Sequence, residues 1–241
     1  MDLSVVIPVK NEAENLAPLI AEIHTALDGL VAFEIVYVDD GSTDDSARRL
    51  AAIQQTDPIL RLVRHAKSCG QSTAVRSGVK AARGRWVATL DGDGQNDPAD
   101  IPNLWRMAHA AIEPGRPAIY CGHRAKRRDT AIKRFSSRFA NGLRSRLLGD
   151  ATPDTGCGLK LFERATFLDL PYFDHMHRYL PALVLRAGGT VVSVKVNHRP
   201  RERGKSNYGT IDRALVGIVD LFGVMWLQHR AKVPALLNPE A

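Results

Sequence analysis

The sequence predicts an α/β fold: a Rossmann-like, mostly parallel sheet with helices on both faces. Two patterns predict it. Short apolar, β-branched runs alternate with helical patterns through the first half of the chain, and acids cluster where those runs end. Length agrees with one large domain, because 241 residues with 44% hydrophobic content suffice to bury a full core.

The first run, LSVVIPV, reads as a buried strand. The helix after it is expected to open at Asn11, where Glu14 three residues on makes a capping-box arrangement. FEIVYV, LRLVRHA and RWVATL repeat the strand theme, with helical patterns at DSARRLAAI and QSTAVRSGVKAARG between them. The second half is less regular, with strands expected at AIYCG, GLKLF and TVVSVKV and helices near 134–148, 164–170 and 177–187. In RFSSRFANGLRSRLL, Phe135, Phe139, Leu143 and Leu147 recur every four residues among arginines, the pattern of an amphipathic helix with a basic face. The last apolar stretch, IDRALVGIVDLFGVMWL, has 17 residues including Asp212, Arg213 and Asp220. It is too short and too charged to span a bilayer core of about 30 Å, but suited to lie in the membrane interface; its alternative is packing on the sheet or at a dimer contact. The chain is therefore expected to divide into a main domain over 1–210 and an amphipathic, interfacial extension over 211–241.

Composition narrows the function classes. Met1-Asp2 run straight into the first strand, so no signal peptide is read and a cytoplasmic protein is expected. Cys69, Cys121 and Cys157 are far apart and lack a CxxC spacing, which argues against a disulfide framework or a zinc site and for reduced, buried thiols. His123, His175, His177 and His198 are scattered, which argues against metal ligation by histidine. The formal charge of +7 is concentrated: between Cys121 and Leu148, nine lysines and arginines face only Asp129, a net +8 that leaves the remainder near neutral. A charge held in one segment implies a local anionic partner such as phosphate, nucleic acid or an acidic lipid surface.

In parallel α/β sheets ligands bind beyond the carboxyl ends of the strands. There the chain carries Asp39-Asp40-Gly41-Ser42 after one strand and Asp91-Gly92-Asp93-Gly94-Gln95 after another. Asp91 and Asp93 straddle one glycine, so their carboxylates can converge on a hard cation such as Mg²⁺ or Mn²⁺, and Gln95 can add an amide oxygen. A solvated turn is the plain alternative for such a triplet, and helix capping by Ser42 or Thr43 is the plain alternative for 39–45. Two acidic strand ends side by side favour the ligand site. GxGxxG and GxxxxGK[ST] are both absent, which disfavours a dinucleotide site and a P-loop and leaves a nucleotide held through metal-bridged phosphates.

Six ordered blocks, VVIPVKNEAENL, VDDGSTDDS, GQSTAVRSGVKAARG, LDGDGQNDP, DTGCGLKLF and HRPRERGKSNYG, resemble glycosyltransferase family 2, in particular its dolichol-phosphate mannosyltransferase and bacterial polyprenyl-phosphate glycosyltransferase branch. The resemblance covers about residues 3 to 210. It implies a GT-A fold and an inverting, metal-dependent transferase that uses a UDP- or GDP-linked sugar as donor and a polyprenyl phosphate as acceptor. By position it implies Pro8, Glu12, Asp39 and Asp40 at the nucleotide, and Asp91, Gly92, Asp93 and Gln95 at the metal and diphosphate. It further implies Arg124 and Arg134 at the acceptor phosphate, and Arg201, Gly204 and Ser206 in a loop that closes on the donor. Asn207 stands where many members have lysine, and no transmembrane helices follow, so peripheral attachment to the inner face of an anionic membrane is expected. A homodimer or a membrane-protein partner is the further partner considered.

Three rival readings fit parts of the sequence. A nucleic-acid-binding module lacks RNP, KH or zinc-finger patterns and leaves DGDGQ unexplained, so no nucleic-acid partner is expected. A non-catalytic nucleotide-sugar-binding protein is disfavoured by the intact acidic triplet. A soluble transferase acting on a glycan or other hydroxyl is the enzyme alternative, and it would need a general base.

Overall fold

The computed structural model describes residues 1–110, 116–124, 142, 144–200 and 210–234, the side chains of 210–215 excepted. Seven strands form one sheet: β1 (Leu3–Val9), β2 (Phe33–Asp39), β3 (Leu60–Arg64), β4 (Trp86–Thr89), β5 (Ala118–Arg124), β6 (Lys160–Glu163) and β7 (Thr190–Val196). Their order is β3-β2-β1-β4-β6-β5-β7. Pairing is parallel from β3 through β4 and between β5 and β7, whereas β6 runs antiparallel to both of its neighbours. The chain leaves β1 toward β2 and β3, then crosses back to place β4 on the other side of β1, which opens a crevice at the carboxyl edge.

Alternation along β1 divides the core. Val5, Ile7 and Val9 pack with α1 (Leu16–Leu27) and α4 (Ile101–Ala110), whereas Val6 packs with α3 (Gln71–Ala81). α1 buries Leu16, Leu19, Ile20, Ile23 and Leu27 along one stripe; at roughly 2 kcal/mol per buried side chain, that stripe outweighs any propensity difference along the helix. α2 (Ser46–Thr56) contributes Leu50 to the same layer, and α5 (Arg164–Asp169) and α6 (Leu180–Arg186) join α3 in the other.

α1 starts at Leu16, five residues after the expected opening at Asn11, and its N-cap is Asn15. Asn11 instead adopts φ 58° and accepts the Thr43 N–H at 2.8 Å, so its side chain serves the β2–α2 loop, not the helix end. The helix expected over 177–187 is a 3₁₀ turn (Met176–Arg178) followed by α6, with Pro181 in the first turn of α6. Cys121 and Cys157 are buried, but Cys69 is exposed on the loop before α3. Residues 142 and 144–148 are helical; the rest of the predicted basic helix lies outside the described residues.

The C-terminal helix α7 (Thr210–His229) docks on α6. Val224 is buried, Tyr179 donates its hydroxyl to the Gly217 carbonyl at 2.9 Å, and Gln228 donates to the Leu148 carbonyl at 2.9 Å. Its opposite face exposes Ile218, Val219, Phe222 and Trp226. Among the described residues no helix is long and apolar enough to cross a membrane.

Gly78 sets how closely α3 approaches the sheet, since a Cβ there would lie 2.4 Å from Val6 Cγ1 and 3.0 Å from Val38 Cγ2. Gly78→Val is expected to cost about 2 kcal/mol through overpacking, read as a lowered midpoint in urea unfolding; an unchanged midpoint would show that α3 can lift without cost.

Candidate active site

The loops at the carboxyl edge of the sheet converge on a cleft of about 590 Å³. Pro8, Lys10 and Glu12 line it from the β1 side, Asp40 and Gln71 from β2 and α3, and Asp91, Gly92, Asp93 and Gln95 from the end of β4. Arg124, Lys160, His177 and Arg178 line it from the opposite flank.

The two loops on the first flank are sewn together. Asn11 N–H donates to Ser42 Oγ and Glu12 N–H to Ser46 Oγ, both at 3.0 Å, and Ala13 N–H donates to Asp44 at 3.2 Å. Asp40 receives four donors: the His65 ring at 2.7 Å and Cys69 N–H at 2.8 Å on one oxygen, the Ser68 hydroxyl at 2.7 Å and Gly70 N–H at 3.0 Å on the other. Burial works to raise its pKa, but the bonds from Cys69, His65, Ser68 and Gly70 prevail and hold it below the usual carboxylate range. A carboxylate has about four acceptor sites, and these four bonds tie Asp40 to the loop before α3 at the edge of the cleft. Asp39 is buried, accepts the Ser42 N–H at 3.1 Å, faces Arg64 at 3.7 Å and is not among the cleft-lining residues. Both acids brace the loops.

Asp91 is different. Gln71 Nε2 donates to one of its oxygens at 2.9 Å, and its backbone N–H is held by buried Asn96 at 2.9 Å. Burial and then the charge of Asp93 push its pKa up to about 6, against the pull of Lys160 and Arg124. A Cβ at Gly158 would come within 2.3 Å of the Asp91 carboxylate, so a glycine is required two residues before β6. Two partly open carboxylates that raise each other's energy form a site that a divalent cation would relieve, with the Gln95 amide as a further oxygen in the same wall. The residues fit a hard metal.

On the far flank, Arg124 at the end of β5 makes a bidentate pair with Asp154, 2.7 Å from Nε and 2.8 Å from Nη2, with both side chains almost fully buried. His177 N–H donates to the Ser72 hydroxyl at 3.2 Å, and that hydroxyl lies 2.7 Å from His177 Nδ1. The serine hydroxyl thus ties both the backbone and the ring of His177 to the start of α3. Burial first, then the charges of Lys160 and Arg178, pull the His177 pKa well below its ordinary value.

The structure brings together Pro8, Glu12, Asp40, Asp91, Gly92, Asp93, Gln95 and Arg124 of the residues expected from sequence. Arg134, Arg201, Gly204 and Ser206 lie outside the described residues. Just before that last segment, Arg199 is fixed by a bidentate pair with Glu22 at 2.9 and 2.8 Å, and its backbone N–H donates to the Gln95 carbonyl at 3.2 Å. Sequence reasoning did not single out Gln71, Asp154 or Lys160 as site residues. A lone lysine inside the apolar run GLKLF is the one signal it offered.

The profile described as Glycosyl transferase family 2 matches residues 4–170. The dodecaprenyl-phosphate galacturonate synthase of Rhizobium johnstonii is 33% identical over 240 residues, covering 96% of this chain and 69% of the relative. The undecaprenyl-phosphate 4-deoxy-4-formamido-L-arabinose transferase of Edwardsiella ictaluri is 33% identical over 209 residues, covering 86% of this chain and 63% of the relative. Among solved structures, a mannosyltransferase from Pyrobaculum calidifontis in complex with GDP-Man and Mn²⁺ superposes with a TM-score of 0.70 at 20% identity, over 96% of this chain and 65% of that one. The glucosyl-3-phosphoglycerate synthase of Mycobacterium tuberculosis with Mn²⁺ and UDP gives 0.66 at 20% identity, over 97% and 81%. The fold is that of the GT-A glycosyltransferases.

Since His177 is held neutral in the fold while an unfolded histidine titrates near 6.5, the unfolded state takes up a proton that the folded state refuses as pH falls below that value. Stability is then lost on acidification. In His177→Gln, the stability lost between pH 7 and 5.5 should be smaller than in the wild type by about 1 kcal/mol, measured by urea unfolding; parallel losses would mean that His177 protonates freely in the fold.

Proposed function

Because the chain belongs to glycosyl transferase family 2, we propose that it moves a sugar from a nucleotide-diphosphate donor to the phosphate of a polyprenyl phosphate, inverting the anomeric carbon. The observation that carries this reading is the division of the cleft by charge: an acidic pair at its centre, Asp91 and Asp93, and a basic flank holding Arg124, Lys160 and Arg178. The names of the two relatives, both transferring to polyprenyl phosphates, support the acceptor, and the Mn²⁺-bound nucleotides in the two solved structures support the donor class.

Asp91 and Asp93, with Gln95, are the residues that would hold Mg²⁺ or Mn²⁺. Bound there, such an ion supplies neutralisation of the charge that gathers on the leaving diphosphate. Pro8, Glu12 and Gly92 wall the donor side, on loops that Asp39 and Asp40 hold in place. Arg201, Gly204 and Ser206 close on the diphosphate, and Arg124 and Arg134 orient the acceptor phosphate. That phosphate is mostly dianionic at neutral pH, its second pKa being about 6, so it needs no protein base. Its oxygen forms the new bond to the anomeric carbon as the bond to the diphosphate breaks, and the electron pair leaves with the diphosphate.

An acceptor with a polyprenyl tail lies in a bilayer, so the enzyme must meet one. The outer face of α7, with Ile218, Val219, Phe222 and Trp226 exposed, suits the interface, and the basic segment over 121–148 adds attraction of roughly 1 kcal/mol per cation near anionic lipid.

Label from a UDP- or GDP-sugar is expected to enter undecaprenyl phosphate, to stop with EDTA, and to fall by at least about 10³-fold in Asp93→Ala. Transfer that survives EDTA would remove the metal, and label found only on a water-soluble glycan would replace the acceptor. Phe222→Glu combined with Trp226→Glu should weaken binding to phosphatidylglycerol vesicles at least tenfold with an unchanged circular dichroism spectrum. Undiminished binding would assign the membrane contact to another surface.

A further inference from the structure

Lys160 opens β6 and is 4% exposed, and among the described residues its ammonium has one hydrogen-bond partner, the carbonyl of Cys157. An ammonium carries three donors, and burying it with a single neutral partner is unfavourable unless an anion completes its surroundings. No carboxylate among the described residues lies within ion-pair distance of it. Asp154 is engaged by the fork of Arg124, and Asp91 faces Gln71 and the cleft.

Register fixes where this charge stands. Lys160 pairs with Thr89 of β4, two residues before Asp91, and with Cys121 of β5, three residues before Arg124. The loops of β1 and β2 lie on the other side of β4. Lys160 is therefore on the flank away from the donor-side loops, and it lines the same cleft as Arg124. Two of the guanidinium nitrogens of Arg124 are committed to Asp154, which also offsets its charge. Lys160 is a buried cation on this flank with donors to spare, deeper than Arg178, which lines the same wall. Its field is felt on both sides, favouring the charged form of Asp91 and the neutral form of His177.

We propose that Lys160 binds the phosphate of the acceptor, as the buried member of a cation pair with Arg124. The identity of that phosphate rests on the polyprenyl-phosphate reading; the anion site itself rests on the geometry of Lys160.

Lys160→Met keeps the length of the side chain and removes the charge, Lys160→Arg keeps the charge, and Lys160→Gln gives a polar neutral variant should the first fail to fold. Lys160→Met is expected to raise the KM for undecaprenyl phosphate about 30-fold or more and to abolish the rise in Tm that inorganic phosphate gives the wild type. Its affinity for UDP or GDP with Mn²⁺ should stay within threefold, and Lys160→Arg should recover most of the acceptor KM. An unchanged KM, or an equal loss of nucleotide affinity, overturns the assignment. If the wild type transfers nothing to polyprenyl phosphate, the acceptor reading fails by itself. The phosphate-induced rise in Tm then still decides the anion site: its loss in Lys160→Met supports the site, and its persistence refutes it.

Discussion

Asp91 has to carry charge at the floor of a cleft that strips away most of its water, and much of the surrounding structure answers that constraint. Desolvation and Asp93 both oppose its ionisation. Against them stand the amide of Gln71 and the cations Lys160 and Arg124, while Asn96 accepts the Asp91 backbone N–H and fixes the loop. Space is as tightly constrained as charge. The carboxylate lies where a Cβ of residue 158 would be, and a Cβ at Gly92 would meet Val9 Cγ1 at 2.4 Å. The antiparallel entry of β6 between β4 and β5 brings Lys160, and Gly158 on the approach to it, to this point, so the strand and its lead-in provide the room and part of the compensating charge.

The acids at the two strand ends read alike in sequence and differ in what fills their lone pairs. Asp40 accepts from four protein donors, which tie the loop before α3 to the end of β2. Asp91 accepts one side-chain bond and faces the cleft with Asp93 beside it. A carboxylate whose acceptor sites are filled lowers its own energy and stiffens its loop. One left partly unfilled next to a like charge stays high in energy until a cation arrives. That contrast separates the braces of the site from its proposed metal ligands, and no sequence motif records it.

The parallel half of the sheet was legible because its strands are continuous β-branched runs, and the acids followed from the rule that ligands gather at the carboxyl edge. The start of α1 was misread because Asn11 and Glu14 match a capping box in spacing, whereas Asn11 is drawn into the left-handed region by its contacts with the β2–α2 loop. A five-residue apolar run such as GLKLF says nothing about its direction, so the antiparallel β6 was not legible, and with it went the meaning of Lys160. Asp154 was hidden for a related reason. It lies 30 residues from Arg124, and only the folded sheet brings the pair together.

The basic flank of the cleft and the C-terminal helix share one stretch of chain. Between Tyr172 and Leu180, His177 holds Ser72 at the head of α3, and Tyr179 holds the Gly217 carbonyl of α7. His175 precedes both anchors in a left-handed conformation and meets Asp220 of α7 at 3.2 Å. Three consecutive odd-numbered residues thus alternate between helix and cleft. α7 cannot shift along its axis without pulling on the segment that carries His177 and Arg178. On the membrane reading of α7, the depth at which that helix rests and the position of the cleft wall are a single variable.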